Sequence, residues 1–298
     1  MSFFNNILVY VVQLMPKNLV WIFSKKYIAG KTLEEAVALV KKLNEKGIYA
    51  TIDVLGEMVK NKEESALAKQ KCLEVLDVIV KNNLMANLSV KPTQMGLSID
   101  EEFAYLQIEE LVKKAFSINN FIRIDMEDSP YTDATFRIYD RLRKKYDSVG
   151  VVVQAYLKRT YDDVTRLNGY KANYRLCKGI YIEPAGIAYK GRQEIRENFL
   201  KILELIFKSG KYAAIATHDE YLINESYKMV DRMNIPEDKF EFQMLLGVRE
   251  DLRDKISGKY KMRIYVPFGN DWYRYSVRRL KENPQIAGHI FKNIFSFR

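Results

Sequence analysis

Lys91, Asp125, Gln154, Arg175, Cys177, Lys178, Thr217, His218 and Tyr265 each stand at or beside the end of an apolar, β-branched run. Lysine and arginine hold carboxylates, an aspartate pairs with either, and histidine and tyrosine carry protons or hydrogen bonds. One charge at the end of a run is unremarkable. Four or five gathered at one place make an anion-binding mouth. Farther along, Arg278 and Arg279 follow Tyr275 by three and four residues, so the three share a helical face. Guanidinium groups grip a carboxylate in a planar, bidentate way that an ammonium cannot copy. Two arginines with Lys91 could therefore clamp one carboxylate. Plainer readings stand beside these. Lys91 and Asp125 could form a structural salt bridge closing a rim, and Arg278 could be solvated and paired with Glu282 at i, i+4.

The elements that must carry these residues alternate regularly. Candidate strands are Ile48–Val54, Leu84–Val90, Phe121–Asp125, Gly150–Ala155, Tyr174–Lys178, Ala213–Thr217, Phe240–Leu246 and Met262–Val266. An amphipathic helical stretch follows each. Asp100–Phe116 has Asp100 as its N-cap and Phe103, Leu106, Ile108 and Leu111 on its apolar face; Glu194–Phe207 carries Ile195, Phe199, Ile202 and Ile206; Trp272–Lys281 stops before Asn283-Pro284. Strands alternating with helices imply a parallel sheet. Eight units in one chain of 298 residues point to an α/β fold of the closed (β/α)8 TIM-barrel type, with an open doubly wound sheet as the alternative. Such barrels carry their active sites at the C-terminal strand ends, where the residues above fall. Neighbouring strands lie about 4.8 Å apart, so Lys91 and Asp125 can pair across the mouth. Residues 1–47 form an N-terminal helical extension and 48–298 the catalytic barrel. Within the extension, Thr32 and Glu35 have the spacing of a capping box for a helix of about 15 residues ending near Gly47.

Composition narrows the function classes. Lysine and arginine outnumber acids 48 to 38, a net charge of +10, which favours acidic partners or simply a lysine-rich surface. No block of like charge marks a nucleic-acid tail, so no nucleic-acid partner is expected. Cys72 and Cys177 with two distant histidines, His218 and His289, provide neither a disulfide framework nor a metal site. Neither HExxH, a Walker A sequence nor GxGxxG occurs. The cysteine usage fits a reducing, cytoplasmic location. The apolar run Ile7–Met15 is shorter than the roughly 20 residues a spanning helix needs, and it lacks a basic leader and a cleavage site. It reads as a helix packed on the domain, with a helix lying peripherally on the inner face of a membrane as the second reading.

At these positions the chain resembles proline dehydrogenase, the flavin-dependent barrel family. The matching segments include Ser89-Val90-Lys91-Pro92-Thr93-Gln94-Met95-Gly96-Leu97, Ile122-Arg123-Ile124-Asp125-Met126-Glu127 and Val153-Gln154-Ala155-Tyr156-Leu157-Lys158-Arg159-Thr160. Further ones are Arg175-Leu176-Cys177-Lys178-Gly179, Ala216-Thr217-His218-Asp219, Phe242-Gln243-Met244-Leu245 and Arg278-Arg279-Leu280-Lys281-Glu282-Asn283-Pro284. They occur in the family's order and span most of the barrel. The resemblance implies FAD as cofactor and oxidation of L-proline to 1-pyrroline-5-carboxylate, in proline catabolism, with a quinone as electron acceptor. It implies that Lys91, Arg278 and Arg279 hold the substrate carboxylate, that Asp125 balances the charge of Lys91, and that Tyr265, Tyr275 and Leu245 wall the substrate ring. It implies that Met126, Gln154, Cys177, Lys178, Gly179, Thr217 and His218 contact the flavin and that Arg175 approaches flavin N5. A carboxylate clamp of this kind would hold the donor carbon for hydride transfer, and cations beside the ring would stabilise the reduced flavin. Tyr275 resembles the bulky gate that excludes a ring hydroxyl, which favours proline over hydroxyproline.

The chain departs from the family's pattern at Pro92, Cys177, Ile180 and Leu246. Pro92 keeps Lys91 extended, as a strand end already does. Two other classes of function compete: a lyase with Lys91 or Lys178 as a Schiff-base amine, and a basic protein binding nucleic acid or membrane.

Overall fold

The computed structural model describes residues 17–169 and 172–282, with the side chains of a few residues in the terminal helices, Arg278 and Arg279 among them, outside the description. The run at residues 7–15 also lies outside it. Eight parallel strands form a closed barrel in chain order: β1 (Tyr49–Val54), β2 (Ala86–Val90), β3 (Ile122–Ile124), β4 (Val149–Gln154), β5 (Asn173–Cys177), β6 (Tyr212–Ala216), β7 (Phe240–Leu245) and β8 (Met262–Phe268). β8 pairs with β1, with Thr51 opposite Tyr265, and this pairing excludes the open sheet. Each strand lies within two residues of its expected bounds. Lys91, Asp125, Lys178 and Thr217 consequently stand just beyond the last residue of their strands.

Side-chain alternation divides each strand between two environments. Ile52, Leu88, Ile122, Ile124, Val151, Tyr174, Leu176, Ile215, Phe242, Ile264 and Val266 are fully or almost fully buried in one apolar core with the surrounding helices. The alternate residues meet inside the barrel, because they bond across strands that are not neighbours. Arg123 of β3 donates to Asn173 of β5, and Arg263 of β8 donates to Asn87 of β2 (3.0 Å). The barrel interior is therefore polar and charged.

Local signals place the helices. Thr32 and Glu35 form the expected capping box: Glu35 N–H donates to Thr32 Oγ1 (3.3 Å) and Thr32 N–H to a Glu35 carboxylate oxygen (3.0 Å). The helix they start, Leu33–Asn44, buries Ala36, Val40 and Leu43 against β1 and β8. Asp100 caps Glu101–Ser117 by accepting from Phe103 N–H (2.6 Å). On that helix Leu106 is half exposed, contrary to the expected face; Ala104, Tyr105, Ile108, Leu111, Val112 and Ala115 are the buried ones. The true stripe runs through i, i+4 and i+7 from Ala104, whose small side chain adds little to an apolar pattern.

The helix that follows β8, Trp272–Glu282, packs on Lys17–Ser24. Trp21 and Trp272 meet edge to face at 4.7 Å, within a cluster of Val20, Ile28, Leu55, Tyr275 and Val277. Leu55 directly follows β1, and Ala29 N–H donates to Pro267 O in β8 (2.9 Å). This helix pair is thus tied to the C-terminal ends of β1 and β8. Among the described residues no helix is long and apolar enough to cross a membrane.

Candidate active site

The C-terminal mouth holds one continuous cluster of buried charges. Lys91 Nζ donates to Asp53 Oδ1 (2.8 Å) and Oδ2 (2.9 Å), and to Tyr265 OH (3.2 Å); Asp125 Oδ2 lies 3.5 Å away. Tyr265 OH donates to Asp125 Oδ2 (2.9 Å). Asp125 Oδ1 accepts from Ser89 Oγ (2.6 Å) and Arg175 Nη1 (2.8 Å). Arg175 Nε donates to Gln243 Oε1 (2.6 Å), and its Nη2 is buried without a protein partner. The positions follow from register: Asp53 pairs with Ser89 across β1 and β2, and Leu245 with Tyr265 across β7 and β8.

The electrostatics follow from this geometry. Burial disfavours the Lys91 cation, but the carboxylate of Asp53, with Tyr265 and Asp125 behind it, outweighs that and holds its pKa well above the ordinary lysine value. Burial pushes Asp125 up, yet the cations Lys91 and Arg175 win and hold it below the usual carboxylate range. A Schiff-base lysine needs a lowered pKa to expose its lone pair. Lys91 is instead bonded to both oxygens of Asp53, which holds it as a cation and argues against it as the amine of a lyase. Tyr265 is lifted well above its usual value, first by burial and then by Asp125 and Asp53, so it remains a neutral phenol.

The other expected residues ring this cluster. Gln154 is buried opposite Cys177; its Nε2 donates to Glu127 O (2.8 Å), and its Oε1 has no partner. The Cys177 thiol is pushed up to about 11 by burial and sits 3.6 Å from Val153 O, which makes it an inert, neutral thiol. Met126 is buried in the main core. Gly179 has φ +103°, and a Cβ there would lie 2.0 Å from the Tyr156 ring. His218 Nε2 accepts from Leu245 N–H (2.8 Å), which puts the proton of the neutral ring on Nδ1 and ties the end of β6 to β7. Thr217 Oγ1 accepts from Asp219 N–H (3.1 Å). Asp219 is gripped by Arg196 through both oxygens (3.0 and 2.7 Å), with Lys178 at 3.6 Å and Arg192 at 3.7 Å. Tyr275 lies in the apolar cluster beside Leu55, on the helix that carries Arg278 and Arg279.

Several residues of the cluster lie outside the sequence expectation. Asp53 is the main partner of Lys91, in place of Asp125. Ser89, Gln243 and Glu127 also bond directly to the expected residues or their loops. For Asp53 and Gln243 the signal is the strict alternation in Thr51-Ile52-Asp53-Val54 and in Phe240-Glu241-Phe242-Gln243-Met244, which marks inward polar positions. A cavity of about 480 Å³ lies at the opposite pole, lined by Tyr49, Ala86, Asn87, Phe121, Ser148 and Arg263 among others. It is remote from the strand ends that carry the charge cluster.

Fold and mouth together define a (β/α)8 enzyme with a buried, ion-paired site at its C-terminal face. The family model for proline dehydrogenase matches residues 36–291. Proline dehydrogenase 1 of Bacillus subtilis (strain 168) is 36% identical over 272 residues, covering 91% of this chain and 90% of that protein. Proline dehydrogenase of Deinococcus radiodurans is 31% identical over 296 residues, covering 95% and 93%. Among solved structures, proline utilization A from Bdellovibrio bacteriovorus, inactivated by N-propargylglycine, superposes with a TM-score of 0.82 at 24% identity. That match covers 88% of this chain and 32% of the other, so this chain spans about a third of that longer protein and the likeness bears on fold. The chain belongs to the proline dehydrogenase family, and its activity is the oxidation of proline.

Proposed function

We propose that this chain uses FAD to oxidise L-proline to 1-pyrroline-5-carboxylate and passes the electrons to a quinone. The observation that carries the reading is the mouth itself: a fixed cation, Lys91, beside an arginine, Arg175, that keeps one buried donor unpaired. The residues present fit a flavin. Arg175 Nη2 offers a donor and Gln154 Oε1 an acceptor, both buried and without protein partners, and a flavin ring edge carries the complementary groups. Gly179 lets the loop after β5 run against Tyr156 where no side chain would fit. Arg175, Gln154, Met126, Cys177, Lys178, Gly179, Thr217 and His218 would hold the cofactor, which supplies the hydride acceptor when bound.

Lys91 would bind one oxygen of the proline carboxylate. Its bonds to Tyr265 and Asp125 are the longer ones, so substrate would displace those while Asp53 keeps the ammonium in place. Arg278 and Arg279 complete the clamp from the last helix. Tyr265, Leu245 and Tyr275 wall the ring, and Tyr275 excludes a ring hydroxyl. The proline amine must shed its proton before hydride leaves, so the rate rises with pH. We assign cytoplasmic placement with peripheral contact to an anionic membrane surface, on the +10 net charge and the run at residues 7–15. Equal liposome binding with and without residues 1–15 would remove that run from the contact.

The decisive experiment is anaerobic addition of L-proline to the purified protein, with trans-4-hydroxyproline in parallel. Rapid loss of the visible flavin absorbance with proline, and slow loss with the hydroxylated ring, is expected. A colourless protein defeats the reading. Arg278→Met and Arg279→Met are each expected to raise the proline KM about tenfold or more, the scale of one lost charge-assisted bond, with flavin retained.

A further inference from the structure

We propose that Gln243 and Glu241 are positioning residues: a relay through the barrel interior that fixes the plane of Arg175 at the flavin, an inference resting on the flavin reading of the mouth. Three contacts hold the guanidinium. Nη1 bonds Asp125 Oδ1 (2.8 Å) and Ser89 Oγ (3.3 Å), and Nε bonds Gln243 Oε1 (2.6 Å), which leaves Nη2 as the buried, unpartnered donor. A planar fork held at two corners presents its third in one direction. Gln243 supplies the corner that is not also part of the Lys91 cluster.

An amide can flip, and a flipped Gln243 would turn its NH2 toward Arg175, donor against donor. Glu241 prevents this. Gln243 Nε2 donates to Glu241 Oε1 (2.6 Å), an acceptor with no proton to offer. Glu241 is itself held as a carboxylate. Burial raises its pKa, but Arg263, with its Nε 2.8 Å away, and Lys261 outweigh that and bring it to about 2. Arg263 is anchored in turn on Ala50 O (2.8 Å) and Asn87 Oδ1 (3.0 Å). Each member of the series Arg263–Glu241–Gln243–Arg175 thus has its donor and acceptor sense imposed by the next. Buried networks bonded in this way are rigid, and breaking one member leaves a costly orphan.

The test separates positioning from packing. Gln243→Met keeps length and volume but removes both bonds. In protein shown by thermal melt to be folded and by absorbance to hold flavin, it is expected to slow anaerobic flavin reduction by L-proline about tenfold. The proline Kd should change less than about threefold, since the Lys91 pair is untouched. The flavin reduction potential should move to a more negative value as the cation loses its fixed position. The charge-conserving swap Gln243→Glu with Glu241→Gln restores the corner that holds Arg175: the carboxylate now at position 243 accepts from Arg175 Nε, and the amide now at position 241 donates to that carboxylate, at the cost of the acceptor that Arg263 Nε shares with Gln243 on Glu241 Oε1. It should return the reduction rate to within about threefold of the parent. A parental rate and potential in Gln243→Met overturns the relay, as does a folded swap variant no faster than Gln243→Met. Absence of flavin, or of bleaching by L-proline in the parent protein, instead overturns the flavin reading.

Discussion

Lys91 and Asp53 form a buried, doubly bonded ion pair, with Nζ 2.8 and 2.9 Å from the two carboxylate oxygens; Asp125 stands farther off at 3.5 Å. The Asp53 side chain has no exposed surface. Removing one partner of such a pair leaves an uncompensated charge, and Asp53→Ala is expected to lower unfolding stability by about 3–5 kcal/mol, read by urea denaturation. Replacing both, Asp53→Leu with Lys91→Met, should restore most of the stability while abolishing proline binding, because a buried ion pair is seldom a net source of stability. A loss below about 1 kcal/mol in Asp53→Ala would show that Asp125 and Tyr265 suffice to compensate Lys91.

Tyr265 bridges the two halves of the cluster, accepting from Lys91 and donating to Asp125. Tyr265→Phe keeps the ring that would wall the substrate and deletes both bonds. One bond to a charged group is worth about 1.5–3 kcal/mol, so kcat/KM for proline should fall about tenfold to a hundredfold. Flavin content should not change. Steady-state kinetics on a protein with parental flavin absorbance checks this, and an unchanged kcat/KM would show that the hydroxyl only fills space.

The fold is legible in the sequence because its outward strand faces and helix caps are local signals. Thr32 with Glu35 and Asp100 before Phe103 fix helix starts within a few residues of chain, and the structure has both. Lys91 and Asp125 are legible as strand-end residues and Arg175 and Tyr265 as polar residues carried by their strands, and the four meet in one network. What escapes is the choice of partner. Whether Lys91 turns to Asp125 or to Asp53 depends on strand stagger around the closed barrel, which composition and spacing do not encode. β1 lies next to β2 on one side as β3 does on the other, and the sequence weighs them equally. The inward polar residues Glu241 and Gln243 announce themselves by period-two alternation. That signal is easily missed because parallel barrel strands are expected to read as apolar runs. Leu106 fails for the converse reason: an apolar type on a helix says little about burial when alanines line the true contact face.

Gly179 tests the cradle by geometry alone. Its φ of +103° is strained for any residue with a Cβ, and the added carbon would lie 2.0 Å from the Tyr156 ring, whose neighbouring backbone N–H donates to Lys178 O (2.7 Å). Strained φ and overpacking together should cost roughly 2–5 kcal/mol in Gly179→Ala. The loop carrying Lys178 must shift to relieve the clash, so flavin should be lost on gel filtration while far-UV circular dichroism stays parental. Full flavin retention would place the cofactor away from this loop.

Glu127 provides a pH test. Its buried carboxylate accepts from Thr93 N–H (2.7 Å) and Thr93 Oγ1 (2.6 Å), two residues beyond Lys91, and its carbonyl accepts from Gln154. Burial is the larger influence and raises its pKa to about 7, against the bonds from Thr93 that lower it. The folded value exceeds the unfolded value of about 4.3. The contribution of this group to stability is therefore fully present below about pH 4.3 and is lost as pH rises through about 7. Glu127→Gln carries a neutral side chain of the same shape and cannot titrate. The melting temperature of Glu127→Gln relative to the parent should accordingly rise between about pH 4.5 and 7, because in that window Glu127 ionises in the unfolded parent while the folded parent still holds its proton. A constant difference across that window, or one that moves in favour of the parent, would show that Glu127 is already ionised in the folded protein at acid pH and that the two bonds from Thr93 outweigh its burial.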